Sequence, residues 1–216
     1  MKFCSLGNNC TSSTVLKRNG LKTESYPFDW IFSSEEMLIH CVEDGFKTFL
    51  DKAEYNSNLA EPNICEHEFY SKVVENYQDV KGKEKVIFNH HNPLTSAKDY
   101  AYFERCVQRF KDLLKSDESK VFVRVHINKK PEDETESLSE SLRICEFLSN
   151  HTTNYKLIVI NACPIGKNGY EIKYNKDNLV FCNLYTVTKS TGVDFDNVEE
   201  NIYLNRVFIH LLRLVN

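Results

Sequence analysis

The sequence has no apolar run long enough to cross a bilayer, which argues against a membrane-spanning helix. It also has no apolar leader segment, because Met1 and Lys2 run directly into a short apolar stretch. We therefore expect an intracellular, cytoplasmic protein with no membrane partner. The 216 residues contain no internal repeat, low-complexity tract or linker, so we expect a single domain over residues 1–216.

Paired metal ligands and nucleotide-binding motifs are missing as well. The eight cysteines are scattered without a CxxC pair, which predicts free thiols rather than a disulfide framework or a structural zinc site. There is no complete GxGxxG or Walker pattern, so no nucleotide is implied by a motif. A net charge of −4 argues against a general nucleic-acid binder. We expect no metal, no cofactor and no nucleic-acid partner.

Near-continuous apolar runs alternate with amphipathic segments along most of the chain. The runs predicted as strands are residues 3–6, 85–91, 121–126, 156–161 and 178–184. The segments predicted as helices are residues 10–18, 37–50 with a helix N-terminus at 33–36, 71–80, 97–115, one beginning at about 131 and one from about 196 to 214. This alternation predicts a three-layer, Rossmann-like α/β fold, with a mostly parallel sheet flanked by helices.

The first strand, the turn after it and the first helix form the most informative stretch. Gly7, Asn8 and Asn9 tolerate a tight reversal, and they place Cys10 in the first turn of the helix. Free backbone N–H groups and the helix dipole favour a thiolate there. Cys10 is therefore a candidate nucleophile, and the three turn residues are candidates for binding a substrate anion. The plain alternative is a half-buried thiol in a polar turn.

The ends of two later strands supply further candidates. His90 and His91 close the second predicted strand, and Arg124 and His126 close the third. Because the carboxyl ends of parallel strands meet at one edge of a sheet, we expect these side chains to lie near Cys10. Either His90 or His91 would act as the catalytic base, while Arg124 and His126 would bind a substrate anion.

A catalytic histidine also needs a group that orients its ring. Asp29, Asn89 or Asn161 could supply it, although Asp29 could instead anchor its own loop. Arg124 lies inside an apolar run, where an unpaired charge is costly. We predict that it either pairs with Asp29 or faces an anionic ligand.

The single tryptophan, Trp30, is predicted to be largely buried, with Phe28 beside it, under the turn that carries Cys10.

The motif SLGNNC at residues 5–10, followed by PFDW at residues 27–30, resembles a family of putative papain-like cysteine peptidases found in bacteria and large DNA viruses. Looser matches are a histidine at the end of the second strand, Arg109-Phe110 and Arg124. The resemblance implies a cysteine hydrolase with Cys10 as its nucleophile. It also implies a papain-like α+β fold as the alternative to a parallel sheet.

Functions of different classes remain open at this point. The first is a thiol-dependent hydrolase, peptidase or acyl transferase that acts through Cys10 on a peptide, ester or glycan-type small substrate. The second is a phosphate- or sugar-nucleotide-binding α/β transferase, in which the turn and Arg124 bind an anion and Cys10 is incidental. The third is a non-catalytic interaction domain.

Overall fold

The computed structural model describes residues 1–57, 61–74 and 85–215. Its strands are Lys2–Ser5 (β1), Tyr55–Asn56 (β2), Cys65–His67 (β3), Val86–Phe88 (β4), Lys120–His126 (β5), Tyr155–Pro164 (β6), Gly169–Lys176 (β7) and Leu179–Thr186 (β8). Its α-helices are Cys10–Arg18 (α1), Glu35–Glu43 (α2), Ala97–Lys115 (α3), Glu134–His151 (α4) and Val198–Val215 (α5). Short 3-10 helices cover Lys52–Glu54, Tyr70–Lys72 and Pro131–Asp133.

The main sheet has the strand order β1-β5-β6-β8-β7. Neighbours among β1, β5, β6 and β8 run parallel, and β7 runs antiparallel to β8 at the edge. Apolar side chains alternate between the two faces of β5, so that Phe122 joins one buried cluster while Val121 and Val123 join the other. This confirms the predicted α/β domain, a mostly parallel sheet flanked by helices.

Helices cover both faces of this sheet because both faces are apolar. Val15 and Leu16 of α1 pack with apolar residues of α5 on one face. Residues of α3 and α4, including Phe110 and Ile144, pack on the other face. The architecture therefore has three layers, as the alternating pattern predicts.

Some predicted elements are wrong in place or in length. The predicted strand at residues 85–91 shortens to β4, which lies outside the main sheet, in a small antiparallel sheet of order β2-β3-β4. The helix predicted over residues 37–50, with its N-terminus at residues 33–36, begins at Glu35 as predicted but ends at Glu43, because Gly45 and Phe46 both have positive φ. Of the helix predicted at residues 71–80, residues 75–80 lie outside the described residues.

The connections of the sheet create a crevice at one edge. The chain leaves the carboxyl end of β1 towards α1 on one face, whereas it leaves β5 towards α4 on the opposite face. Neighbouring parallel strands whose connections diverge in this way leave a gap beyond their carboxyl ends, where α/β proteins bind ligands. The gap between the ends of β1 and β5 is therefore the natural place for a site.

Candidate functional site

The turn after β1 interlocks with the segment before α2. Gly7 has a φ of 77°, and a Cβ atom at this position would overlap Ser33 Oγ and lie 2.9 Å from the carbonyl oxygen of Phe28. The backbone N–H of Asn8 donates to Ser33 Oγ at 2.9 Å. Glycine is thus required where the two parts of the SLGNNC and PFDW pattern touch, and this contact explains why the two motifs belong together.

The same turn is tied to β5. The Asn9 side chain accepts a hydrogen bond from the N–H of Thr11 at 2.9 Å, which caps α1, and donates to the carbonyl of Val125 at 3.2 Å. Ser12 Oγ donates to the carbonyl of Gly7 at 2.7 Å and accepts from the N–H of Val125 at 2.8 Å. The polar residues of the motif therefore hold the turn against the end of β5.

Arg124 lies beside this turn and is 1% exposed. Its guanidinium donates to the carbonyls of Leu6 at 2.7 Å and Ser33 at 3.1 Å. Its Nε donates to Nε2 of His126 at 3.0 Å. Because a guanidinium can only donate, the neutral His126 ring carries its proton on Nδ1. Three bonds thus fix the plane and position of the guanidinium.

These elements enclose a polar cleft of about 200 Å³ beyond the ends of β1 and β5. Asn8 and Arg124, which were both predicted to bind a substrate anion, line it together with Lys129 from the loop after β5. The other polar residues in its walls come from the start of α2 and from α4: Ser33, Ser34, Glu35, Glu36, Glu136 and Glu140. We call this the strand-edge cleft.

Glu140 is the partly buried carboxyl group of the strand-edge cleft. Burial raises its pKa above the usual range, while the positive charges of Arg124 and Lys129 oppose the shift. The buried Nδ1 atom of His126 lies 4.0 Å from Glu140 Oε2 and makes no hydrogen bond to any residue that the structure describes. Burial, reinforced by Arg124, holds the pKa of His126 well below its usual value. His126 is therefore neutral and points its N–H towards Glu140.

Lys129 and Glu140 were not among the site residues predicted from the sequence. Glu140 lies in an acid-rich run that is typical of a solvated helix face. The spacing of Glu136 and Glu140 is the signal that points to them: residues four apart share one face of α4, and α4 follows a strand that ends at the ligand-binding edge.

Cys10 is the first residue of α1 and is 4% exposed. Burial, followed by the nearby Asp29 carboxylate, raises the pKa of its thiol to about 12. The thiol is therefore protonated at neutral pH, because these effects outweigh the helix N-terminus that was expected to stabilise a thiolate. Within residues 1–57, 61–74 and 85–215, no hydrogen bond joins the Cys10 sulfur to a histidine nitrogen.

Asp29 is fully buried and anchors its own loop. Its Oδ2 atom accepts from the N–H of Tyr26 at 2.8 Å and forms a close ion pair with Lys22 Nζ. Burial raises the pKa of Asp29, and the Lys22 charge opposes that shift. Its cation is therefore Lys22, whereas Arg124 was its partner in one of the two predicted alternatives.

The two histidines follow β4 and so do not close a strand of the parallel sheet. His90 is exposed. His91 bonds Asp99 at 3.2 Å through Nδ1 and stacks on Tyr102 with ring centroids 4.8 Å apart. The expected placement was wrong because an apolar run does not reveal its pairing partner: Cys65 of β3 pairs with the end of β4.

The remaining predictions divide in the same way. Asn161 is buried and donates to Asn183 on the neighbouring strand at 3.1 Å. Phe28 is fully buried beneath the turn, as predicted. Trp30 is only partly buried, and Lys22 Nζ lies 5.8 Å from its ring. The predicted burial of Trp30 is therefore partial, and Phe28 is the residue that contacts the turn at Gly7.

The protein is thus a three-layer α/β protein that carries the SLGNNC turn, residues 5–10, at the carboxyl edge of its main sheet. The model of the family described as "Putative papain-like cysteine peptidase" matches residues 1–163. The chain belongs to that family. It is also similar to Uncharacterized protein R408 of Acanthamoeba polyphaga mimivirus, with 29% identity across 94% of this chain and 97% of that protein. No solved structure matches the chain.

Among the residues that the structure describes, none of the helices is both long and apolar enough to span a membrane. The same residues contain no group of three or more His, Cys, Asp or Glu side chains placed to hold a metal ion.

Proposed function

We propose that the chain is a transferase or hydrolase for a small, hydroxyl-rich substrate that carries one anionic group, such as a sugar phosphate. The observation that carries this proposal is that Asn8 and the buried Arg124 line the same cleft, beside Lys129. Asn8 belongs to the SLGNNC turn at residues 5–10, which we call the motif turn. A planar guanidinium held in fixed position suits the oxygens of a phosphate. Polar side chains make up nearly all of the rest of the cleft wall.

Charge is distributed unevenly along the strand-edge cleft, and this supports the orientation of the substrate. Arg124 is buried at its inner end, whereas Glu36 and Glu136 are exposed. The anionic group would therefore bind at the inner end, where low exposure strengthens its attraction to the guanidinium. The hydroxyl groups would donate to the carboxylates nearer the opening.

Glu140 is the proposed general acid–base group. A carboxyl group with a raised pKa holds a proton more readily than a free carboxylate, which suits it to accept a proton and return it. Glu140 would take the proton of the attacking hydroxyl, from water in a hydrolase or from an acceptor in a transferase, and would then protonate the leaving oxygen. The Nδ1–H of His126, 4.0 Å away, would position the Glu140 carboxylate without touching the substrate.

Binding of glucose 1-phosphate and of glucose, measured calorimetrically at fixed ionic strength, tests the proposal. We expect the phosphate ester to bind more tightly than glucose, Lys129→Met to weaken it about tenfold or more through loss of one charge-assisted contact, and Glu140→Gln to strengthen it. The matched control is Lys130→Met, because the exposed Lys130 lies outside the cleft wall. Equal affinity for glucose and its phosphate, or equal losses in both lysine variants, would overturn the proposal.

A second candidate is the thiol-dependent hydrolase or peptidase, favoured by the position of Cys10 at the start of α1 and by the description of the family. Cys10 would have to become exposed and lose its proton to His90 or His91. A thiol reagent near neutral pH would then label Cys10 ahead of the partly exposed Cys145. The opposite order, together with no sugar-phosphate binding, would favour a non-catalytic interaction domain.

A further inference from the structure

A second cleft, of about 540 Å³, lies between α1, the loop that follows it and α3. Among the described residues, its walls carry Lys17, Lys22, Arg105 and Arg109 but only one carboxylate, Glu24. The chain as a whole has a net charge of −4, so this concentration of cations is local. We call it the basic cleft, and no described residue lines both it and the strand-edge cleft.

Part of this charge is already compensated within the fold. Lys22 pairs with Asp29, and Glu24 turns towards Lys2 at 3.3 Å. The other cations of the basic cleft have no carboxylate partner in the parts of the chain that the structure describes: Lys17, Arg105 and Arg109. The cleft therefore keeps three positive charges that face the same space.

Two of these charges stand on one face of α3. Arg105 and Arg109 are four residues apart, a spacing at which like charges repel across a helix turn. The Arg109 guanidinium bonds the neutral carbonyl of Ser25 at 3.3 Å, which holds it at the cleft without neutralising it. A bound anion would remove the repulsion between the two arginines.

Two aromatic rings stand beside the cations. Tyr102 lies one helix turn before Arg105 on the same face of α3, and its ring is held by stacking on His91 at 4.8 Å and an interplanar angle of 20°. The indole of Trp30 is partly exposed and also lines the basic cleft. Aromatic faces next to cations suit a ligand that has both a planar ring and negative charge.

We propose that the basic cleft binds a nucleoside phosphate, with the base against Trp30 and the phosphates on Arg105, Arg109 and Lys17. Its volume falls within the range of roughly 300–1,000 Å³ typical of small-molecule sites, which suits one nucleotide rather than a strand. This site is separate from the proposed sugar-phosphate site, so either proposal can fail without the other.

Trp30 provides a direct readout, since it is the only tryptophan in the chain. Titration with ADP at fixed ionic strength should quench its fluorescence saturably. Adenosine, which lacks phosphates, should bind far more weakly. Pyrophosphate should displace ADP without quenching the indole by itself, because it occupies the cations and leaves the ring position empty.

The double variant Arg105→Gln/Arg109→Gln should weaken ADP binding about 100-fold, since each lost charge-assisted contact contributes roughly tenfold. The matched control is Lys98→Gln/Lys115→Gln, which removes the same charge from exposed positions of α3 outside the cleft. All four side chains are exposed, so both variants should fold, and their melting curves verify this.

Three results would overturn the proposal. The first is the absence of saturable quenching up to millimolar ADP. The second is an equal loss of affinity in both double variants, which would indicate only diffuse attraction of anions. The third is tighter binding of a single-stranded oligonucleotide than of ADP, which would make the surface a nucleic-acid groove.

Discussion

Gly7 is the residue of the motif turn at which we expect a substitution to lower stability most. Gly7→Ala would place a Cβ against Ser33 Oγ and the Phe28 carbonyl at a φ of 77°. Left-handed strain and overpacking together should lower the free energy of unfolding by about 2–4 kcal/mol. Chemical denaturation measures the loss. Gly20→Ala is the control, because Gly20 has a φ of 67° but no atom within 4 Å, so it should lose only about 1 kcal/mol. Equal losses would show that the contact with Ser33 contributes nothing.

At single positions, the sequence was informative where residue type restricts geometry. Asn8 lies in a turn after one parallel strand and Arg124 lies near the end of the next strand in the sheet. Both positions could be predicted from the alternating apolar pattern, and both residues line one cleft. The state of Cys10 could not be read from the sequence. Its helix position predicts a thiolate, whereas burial and the Asp29 charge decide its pKa, and both depend on contacts distant in the chain.

Two helices that line the strand-edge cleft are joined by one ion pair. Glu35 of α2 is buried and accepts two hydrogen bonds from Arg143 of α4, at 2.7 and 2.6 Å. Arg143→Met would strand this carboxylate and should cost about 1–2 kcal/mol, less than a fully buried pair because Arg143 is 57% exposed. Thermal or denaturant unfolding measures the loss.

A matched pair of variants separates the ion pair between α2 and α4 from general charge effects. Lys85→Met breaks the exposed pair with Glu68 and should cost under about 0.5 kcal/mol. Adding Glu35→Gln to Arg143→Met removes the stranded charge and should recover part of the stability. A double variant no more stable than Arg143→Met alone would contradict this account.

Elements with strong apolar patterns were predicted well, and weakly patterned ones were not. The parallel strands β5, β6 and β8 read as buried runs and appear where expected. The edge strand β7 was missed because its side chains are mostly polar and exposed or partly exposed, so its pattern resembles a loop. The apolar run of β4 gave no sign that it belongs to a separate sheet.

Buried neutral histidines make the stability of the whole molecule depend on pH. Burial lowers the pKa of His67 from 6.5 to about 4. Below pH 6.5 the unfolded chain therefore binds more protons than the folded chain. The contribution of His67 to the free energy of unfolding is fully present above pH 6.5 and is lost as pH falls towards 4. The loss from His67 should reach about 3 kcal/mol by the end of that window.

Unfolding measured across this pH range in His67→Gln tests the assignment. In this variant, the free energy of unfolding should fall less steeply with decreasing pH than it does in the wild-type protein. His151→Gln, at an exposed position, should keep the wild-type slope. The raised pKa values of Asp29 and Glu140 make the folded chain more stable as pH falls, which is the opposite effect. Both variants keep these two carboxyl groups, so their contribution cancels when the variants are compared. An unchanged slope in His67→Gln would show that His67 does not carry the effect.

The pairing of β1 with β5 has a consequence for how the chain acquires its structure. β1 lies at the edge of the sheet, and its partner in register, from Lys120 to Val123, lies more than a hundred residues later. A closure of that length is slow to form. During synthesis the first strand must wait unpaired until β5 has left the ribosome. The motif turn is therefore synthesised early, but its contacts with β5 form late. A nascent chain that stops before β5 would expose β1 to chaperones and to other nascent chains.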